Sequence, residues 1–191
     1  MGERFLNKYR IPSARLPNWD YGWNGIYFIT ICTEGREHYF GKITNMIMEL
    51  SEIGLFAQQL WFAIPTHFPF VDLDAFVVMP NHIHGILIID RNGDEKNSPD
   101  FNIENNFDSE ININTPSQQR FRNQGKNTIS SIIGSYKSAV SSRAHLIKSG
   151  FGWQARFYDH IVQSDREFNR IWQYIDDNPA KWGKDKYFGE G

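Results

Sequence analysis

Apolar residues fall along this chain in runs of two kinds. Residues 25–32 (GIYFITIC), 73–79 and His82–Ile89 are short β-branched and aromatic runs, the pattern of buried strands, the last two joined through Pro80-Asn81. Residues 39–43 and 46–50 form a hairpin around Thr44-Asn45, after a turn at Glu34-Gly35-Arg36-Glu37. Elsewhere the spacing is helical. Ser51 caps a helix over 52–64 whose inward positions are Ile53, Phe56, Leu60, Trp61 and Ile64, with Pro65 as its stop. Ile129, Ile132, Ile133, Tyr136, Val140 and Leu146 form the inward stripe of a helix over 128–148, stopped by Gly150 and Gly152. Residues 153–162 read as irregular chain or a short edge strand. Ser164-Asp165-Arg166-Glu167 has the form of a capping box. It opens a helix running to about Asp177 on the stripe Phe168, Ile171, Trp172 and Ile175.

This order of elements predicts an α+β fold, an antiparallel sheet with helices packed on one face. Between 91 and 127 the periodicity lapses into Asn, Asp, Glu, Ser and Gln, which marks a disordered insertion and no domain boundary. The 191 residues, 40% hydrophobic, suffice for one core, and 1–191 is expected to be a single domain with no internal repeat. Residues 4–24, with Pro12, Pro17, Trp19 and Trp23, read as an extended arm.

Charge changes the picture. The net charge of −2 hides an asymmetry: from Ile111 to Tyr158 there is no Asp or Glu, but Arg120, Arg122, Lys126, Lys137, Arg143, Lys148 and Arg156. Such a block is the footprint of phosphate-backbone binding, against the plainer reading of a solvated helix face. Arg122, Lys126, Lys137, Arg143 and Arg156 are the expected phosphate contacts, with Trp153 or Tyr158 to stack an unpaired base. Lys137 and Arg143 would then sit on a helix beside the active site. With Cys32 alone, no intrachain disulfide can form. No apolar run approaches the ~20 residues that span a bilayer, and residues 1–10 lack an apolar signal region, so the expected location is cytoplasmic.

The candidate chemistry begins at His82-Ile83-His84. Side chains alternate across a strand, so both imidazoles leave one face and can share a divalent cation. On the last helix Tyr174 and Asn178 are i, i+4 neighbours at the margin of the apolar stripe. Two imidazoles with the Asn178 oxygen as third ligand leave open positions, a catalytic pattern rather than a structural one. One cysteine argues against a structural zinc site, and Ile86 stands where a histidine-triad hydrolase needs its third His. Read blandly, the histidines are hydrogen-bonded core residues, Tyr174 a boundary tyrosine and Asn178 a helix stop. The arrangement suggests metal-assisted attack of Tyr174 on a phosphate. Among rivals, Tyr136 lies on an apolar face and Tyr187 in a Gly-rich tail, which leaves Tyr158, near His160. No residue stands out as a general base.

Tyr27-Phe28-Ile29-Thr30, Phe76–Gly85 with its Met-Pro-Asn-His-x-His core, Trp153-Gln154, Tyr158-Asp159-His160 and Tyr174–Pro179 together resemble the HUH single-tyrosine transposases of the insertion-sequence type, most closely their REP-associated tyrosine transposase branch. The resemblance spans nearly the whole chain outside 91–127. It implies a ferredoxin-like or RRM-like fold, and Mg²⁺ or Mn²⁺ held by His82, His84 and Asn178, where many members of the wider family carry Gln. It also implies Tyr174 as the nucleophile that forms a 5′-phosphotyrosine on single-stranded DNA beside a hairpin, leaving a free 3′-OH. Two alternatives stand beside that reading: a domesticated protein that binds hairpin DNA without cutting, and a metal-dependent phosphoesterase in which Tyr174 is structural. Sequence leaves open whether the site is completed within one chain or across a homodimer.

Overall fold

The computed structural model describes residues 24–91 and 127–188. The expected insertion, with Arg120, Arg122 and Lys126, and the expected arm therefore lie almost wholly outside the described residues. Among the described residues, six strands and four α-helices follow in the order β1 (Gly25–Cys32), β2 (Gly41–Thr44), β3 (Ile47–Leu50), α1 (Glu52–Phe62), α2 (Ile64–His67), β4 (Val71–Met79), β5 (His82–Ile89), α3 (Ile129–Ile147), β6 (Tyr158–Val162) and α4 (Asp165–Asp176). Single 3₁₀ segments add Glu34–Arg36 and Pro179–Lys184.

Strands β4, β5, β1 and β6 form one sheet in that order, antiparallel throughout, and β2 pairs β3 in a separate hairpin. The α+β class and antiparallel sheet are as expected. The alternation of side chains gives the sheet two different faces. Tyr27, Ile29, Ile31, Ile83 and Leu87 point to the side where α1 and α3 contribute Ile53, Ala57, Trp61, Ile132, Ile133 and Val140. Phe28 and Ile86 point to the other, where they meet Ile171 and Ile175 of α4. The first two long helices thus share one face, and α4 covers part of the opposite one.

Gly85 shows why the sheet can take α1 so closely. A Cβ there would lie 2.3 Å from the Trp61 ring, so only glycine lets the indole lie on β5, where it stacks on Phe76 at 4.8 Å. Ser51 caps α1 through Gly54 N at 3.1 Å, and Thr128 caps α3 through Ser131 N. Ser164 accepts from Glu167 N, but the Glu167 carboxylate reaches back to Gln163 N and His160 instead of closing the box on Ser164.

Several expectations are corrected in detail. Pro65 does not end helical structure; it sits in the first turn of α2, where its missing N–H is not needed. Strand β4 begins at Val71, with a register shift between Leu73 and Phe76. Leu146 is 81% exposed, and Ala144 closes the α3 stripe in its place. Trp172 is 41% exposed, because α4 rests on the sheet through Ile171 and Ile175 alone, flanked by Phe168. None of the described helices is long and apolar enough to cross a membrane.

Candidate metal and nucleophile site

The turn Pro80-Asn81 starts β5 with His82 opposite Cys32 and His84 opposite Thr30. Both imidazoles therefore leave the α4 face of the sheet, fully buried, with ring centroids 4.5 Å apart. Each has one nitrogen fixed from behind. Asn81 Nδ2 donates to the Tyr187 carbonyl, so the Asn81 amide oxygen must be the acceptor for His82 Nδ1 at 2.9 Å. That fixes the proton on Nδ1 and leaves the lone pair on Nε2 of His82, which is buried with no partner among the described residues. Thr30 Oγ1 bonds His84 Nδ1 at 2.8 Å.

Helix α4 brings the remaining groups. Tyr174 Oη lies 3.1 Å from His84 Nε2, and its hydroxyl donates to Asp185 Oδ2 at 3.3 Å. Asn178, also buried, donates through Nδ2 to the same carboxylate oxygen at 3.0 Å. Its Oδ1 is a second buried atom without a partner among the described residues. Buried polar atoms are seldom left unpaired, so an unpaired imidazole nitrogen and an unpaired amide oxygen in one cluster mark a place fitted to a ligand. Ligand atoms of His82, His84 and Asp185 all lie within 4.8 Å of one another. Two neutral imidazole nitrogens with carboxylate and amide oxygens form a donor set suited to a first-row divalent cation or Mg²⁺.

Electrostatics keep the donors ready for a cation. Burial pushes the His82 pKa down to about 3, with the charges of Arg36 and Lys186 acting the same way. Burial, then His82, holds His84 well below its usual value, partly opposed by Asp185. Both rings are neutral near pH 7, as metal ligation requires. Burial, followed by the Asp185 carboxylate, raises the Tyr174 phenol above its ordinary value, while the Asn178 hydrogen bond acts in the opposite direction.

The structure brings His82, His84, Tyr174 and Asn178 together within one chain. Tyr174 is 38% exposed, so its ring is at the margin of α4 and open to solvent on one side. Tyr158 stands exposed on the same sheet face, 6.3 Å from the Phe28 ring that also meets Tyr174.

Other expected residues lie elsewhere. Trp153 is a core-packing residue: its indole donates to the Lys137 carbonyl at 3.1 Å and its ring packs among Phe40, Tyr136 and Phe151. Lys137 and Arg143 stand on α3, across the sheet from the imidazoles, so that helix does not flank them. Arg156 is exposed ahead of β6. Tyr187, dismissed from sequence as a tail residue, has its ring 4.6 Å from that of His82. Asp185 was missed altogether. Only the 3₁₀ segment Pro179–Lys184, which turns the chain back, carries it to Asn178, and no periodicity announces that turn.

No protein-family model matches the chain. An uncharacterized protein of Haemophilus influenzae is 35% identical over 178 residues, 92% of either chain. A second protein of that organism, assigned as a REP-associated tyrosine transposase, is 24% identical over 164 residues, covering 86% of this chain and 75% of its own. Among solved structures, a REP-associated tyrosine transposase bound to a REP hairpin matches with a TM-score of 0.53 and 18% identity over 85% of this chain and 71% of that one, which shows a shared fold.

Proposed function

We propose that this chain is a REP-associated tyrosine transposase, a reading its likeness to such proteins supports, and that it cuts and rejoins single-stranded DNA beside a hairpin-forming repeat, with Tyr174 as nucleophile. The likeness to those proteins supports an enzyme of the transposase kind; the chemistry is read from the site. The observation that carries it is the contact between Tyr174 Oη and His84 Nε2 beside the unpaired His82 Nε2 and Asn178 Oδ1. A tyrosine packed for structure alone leaves those two buried atoms unexplained.

In this reading His82 and His84, with Asn178 and Asp185 as oxygen donors, hold Mg²⁺ or Mn²⁺. When bound, the cation draws charge from the scissile phosphate, worth several kcal/mol in the transition state. The protein's own residues do the rest. Tyr174 Oη attacks phosphorus, the bond to the 3′ oxygen breaks, and the 5′ phosphate stays on the tyrosine. The phenol gives up one proton and the departing 3′ oxygen takes one up, so the exchange is balanced. Attack of a 3′ hydroxyl on the phosphotyrosine reverses it and joins strands. At rest the raised phenol is protonated, held toward Asp185, the carboxylate that accepts its hydrogen bond. Tyr158 is placed to stack a base on the same face.

Hairpin DNA as the substrate is supported by the hairpin bound in the structural neighbour. The test is incubation of the protein with a 5′-extended hairpin oligonucleotide and Mn²⁺, followed by denaturing electrophoresis. A metal-dependent covalent complex is expected. Tight hairpin binding with no complex in any divalent cation would favour the domesticated, non-cleaving reading.

A further inference from the structure

Lys137 differs from the exposed Arg143 on the same helix in being half-buried. It lines a groove of about 390 Å³ between α3 and the chain entering β6, with Gly134, Ser138 and Ser141 on one wall and Ala155 and Phe157 on the other. Its ammonium donates to the Gln154 carbonyl at 2.6 Å and stands 5.9 Å from the Trp153 ring. No carboxylate pairs with it among the described residues, and none lines the groove. One carbonyl takes one of three ammonium protons, and a cation drawn partly out of water without a counter-charge is a place where an anion is stabilised. Burial lowers its pKa to about 8, which still leaves it mostly charged at neutral pH.

The groove lies round the corner from the nucleophile. Phe157 lines it, and the next residue, Tyr158, is exposed on the imidazole face. Strand β6 is the sheet's edge, so no further described strand separates the two sides. Gln154, whose carbonyl takes the Lys137 proton, donates its own N–H to the Cys32 carbonyl, and Cys32 lies opposite His82 in the sheet, so groove and imidazoles share one end of β1.

We propose that this groove holds a phosphodiester of the DNA strand that passes Tyr158 and bends round the β6 edge, with Lys137 as its cationic contact. The proposal rests on the DNA-cleaving reading and adds a second strand-holding site on the opposite face. A serine-lined, acid-free channel suits phosphate oxygens, which only accept hydrogen bonds.

The test is fluorescence anisotropy with a hairpin carrying a long single-stranded extension, over a series of salt concentrations, for Lys137→Gln and for Ser138→Glu, whose exposed position lets the fold survive. Lys137→Gln should flatten the log–log salt slope by about 0.7, one single-strand phosphate contact. Lys137→Arg should restore it, and Ser138→Glu should weaken binding about tenfold. An unchanged slope in Lys137→Gln together with unchanged affinity in Ser138→Glu overturns the proposal. So does binding of inorganic phosphate at Lys137 that leaves DNA affinity untouched by either variant, the mark of a free-phosphate site. Adduct formation by the unmutated protein on a short oligonucleotide tests the cleavage reading separately.

Discussion

Tyr174 and His84 lie 90 residues apart in the chain, yet the phenol oxygen and Nε2 are 3.1 Å apart. That contact links the margin of α4 to the head of β5, and it places the candidate nucleophile on the nitrogen a cation would need. A cation held at His84 Nε2 would occupy the nitrogen that now meets Tyr174, leaving the phenol its hydrogen bond to Asp185.

Metal affinity should rank the ligands. By calorimetry Mn²⁺ should bind more tightly than Mg²⁺, as imidazole donors favour the later metal. His82→Ala should lower Mn²⁺ affinity by more than the 10–100-fold typical of second-shell losses. Asn178→Ala and Asp185→Asn should each weaken it less. Undiminished affinity in His82→Ala removes the metal site.

Acid should destabilise the metal-free protein through these histidines. The His82 pKa, about 3 in the fold, is near 6.5 in the unfolded chain, and His84 is lowered as well. Between those values the unfolded state binds the extra protons. Stability is therefore full above pH 6.5 and declines as pH falls toward 3, at about 1.4 kcal/mol per pH unit for His82, with His84 acting in the same direction. Urea unfolding in chelator across that range checks the sign. His82→Gln should flatten the decline.

Gly85→Ala should cost about 1–3 kcal/mol, since the added methyl meets the Trp61 ring and forces repacking against Phe76. Chemical denaturation measures it. A neutral result would mean that the indole shifts freely and that α1 is loosely seated.

Tyr158→Ala should weaken single-strand binding by about 1–3 kcal/mol, the worth of one stacked base, while Tyr158→Phe keeps it. Anisotropy at fixed salt distinguishes them. Equal loss in both would point to the hydroxyl and reopen Tyr158 as a nucleophile.

Much of this was legible in the sequence where one element carried the signal. Strand alternation put His82 and His84 on one face, and helical spacing put Tyr174 and Asn178 on one edge of α4. What was not legible needed tertiary placement. The basic block between 111 and 158 reads as one surface along the chain, but α3 lies across the sheet from the imidazoles and Trp153 turns inward to pack on Phe40 and Phe151. Asp185 and Tyr187 enter the site through a 3₁₀ turn whose direction no periodicity encodes. Asn81 looked like turn chemistry, yet its amide orients His82.

The central claim is that Tyr174 carries the DNA, and the most direct measurement is mass spectrometry of the proteolysed covalent complex formed with Mn²⁺. The account predicts a nucleotide joined through its 5′ phosphate to the peptide containing Tyr174, and no complex from Tyr174→Phe although hairpin binding persists. A complex that survives in Tyr174→Phe, with the nucleotide on Tyr158 or Tyr187, would contradict it.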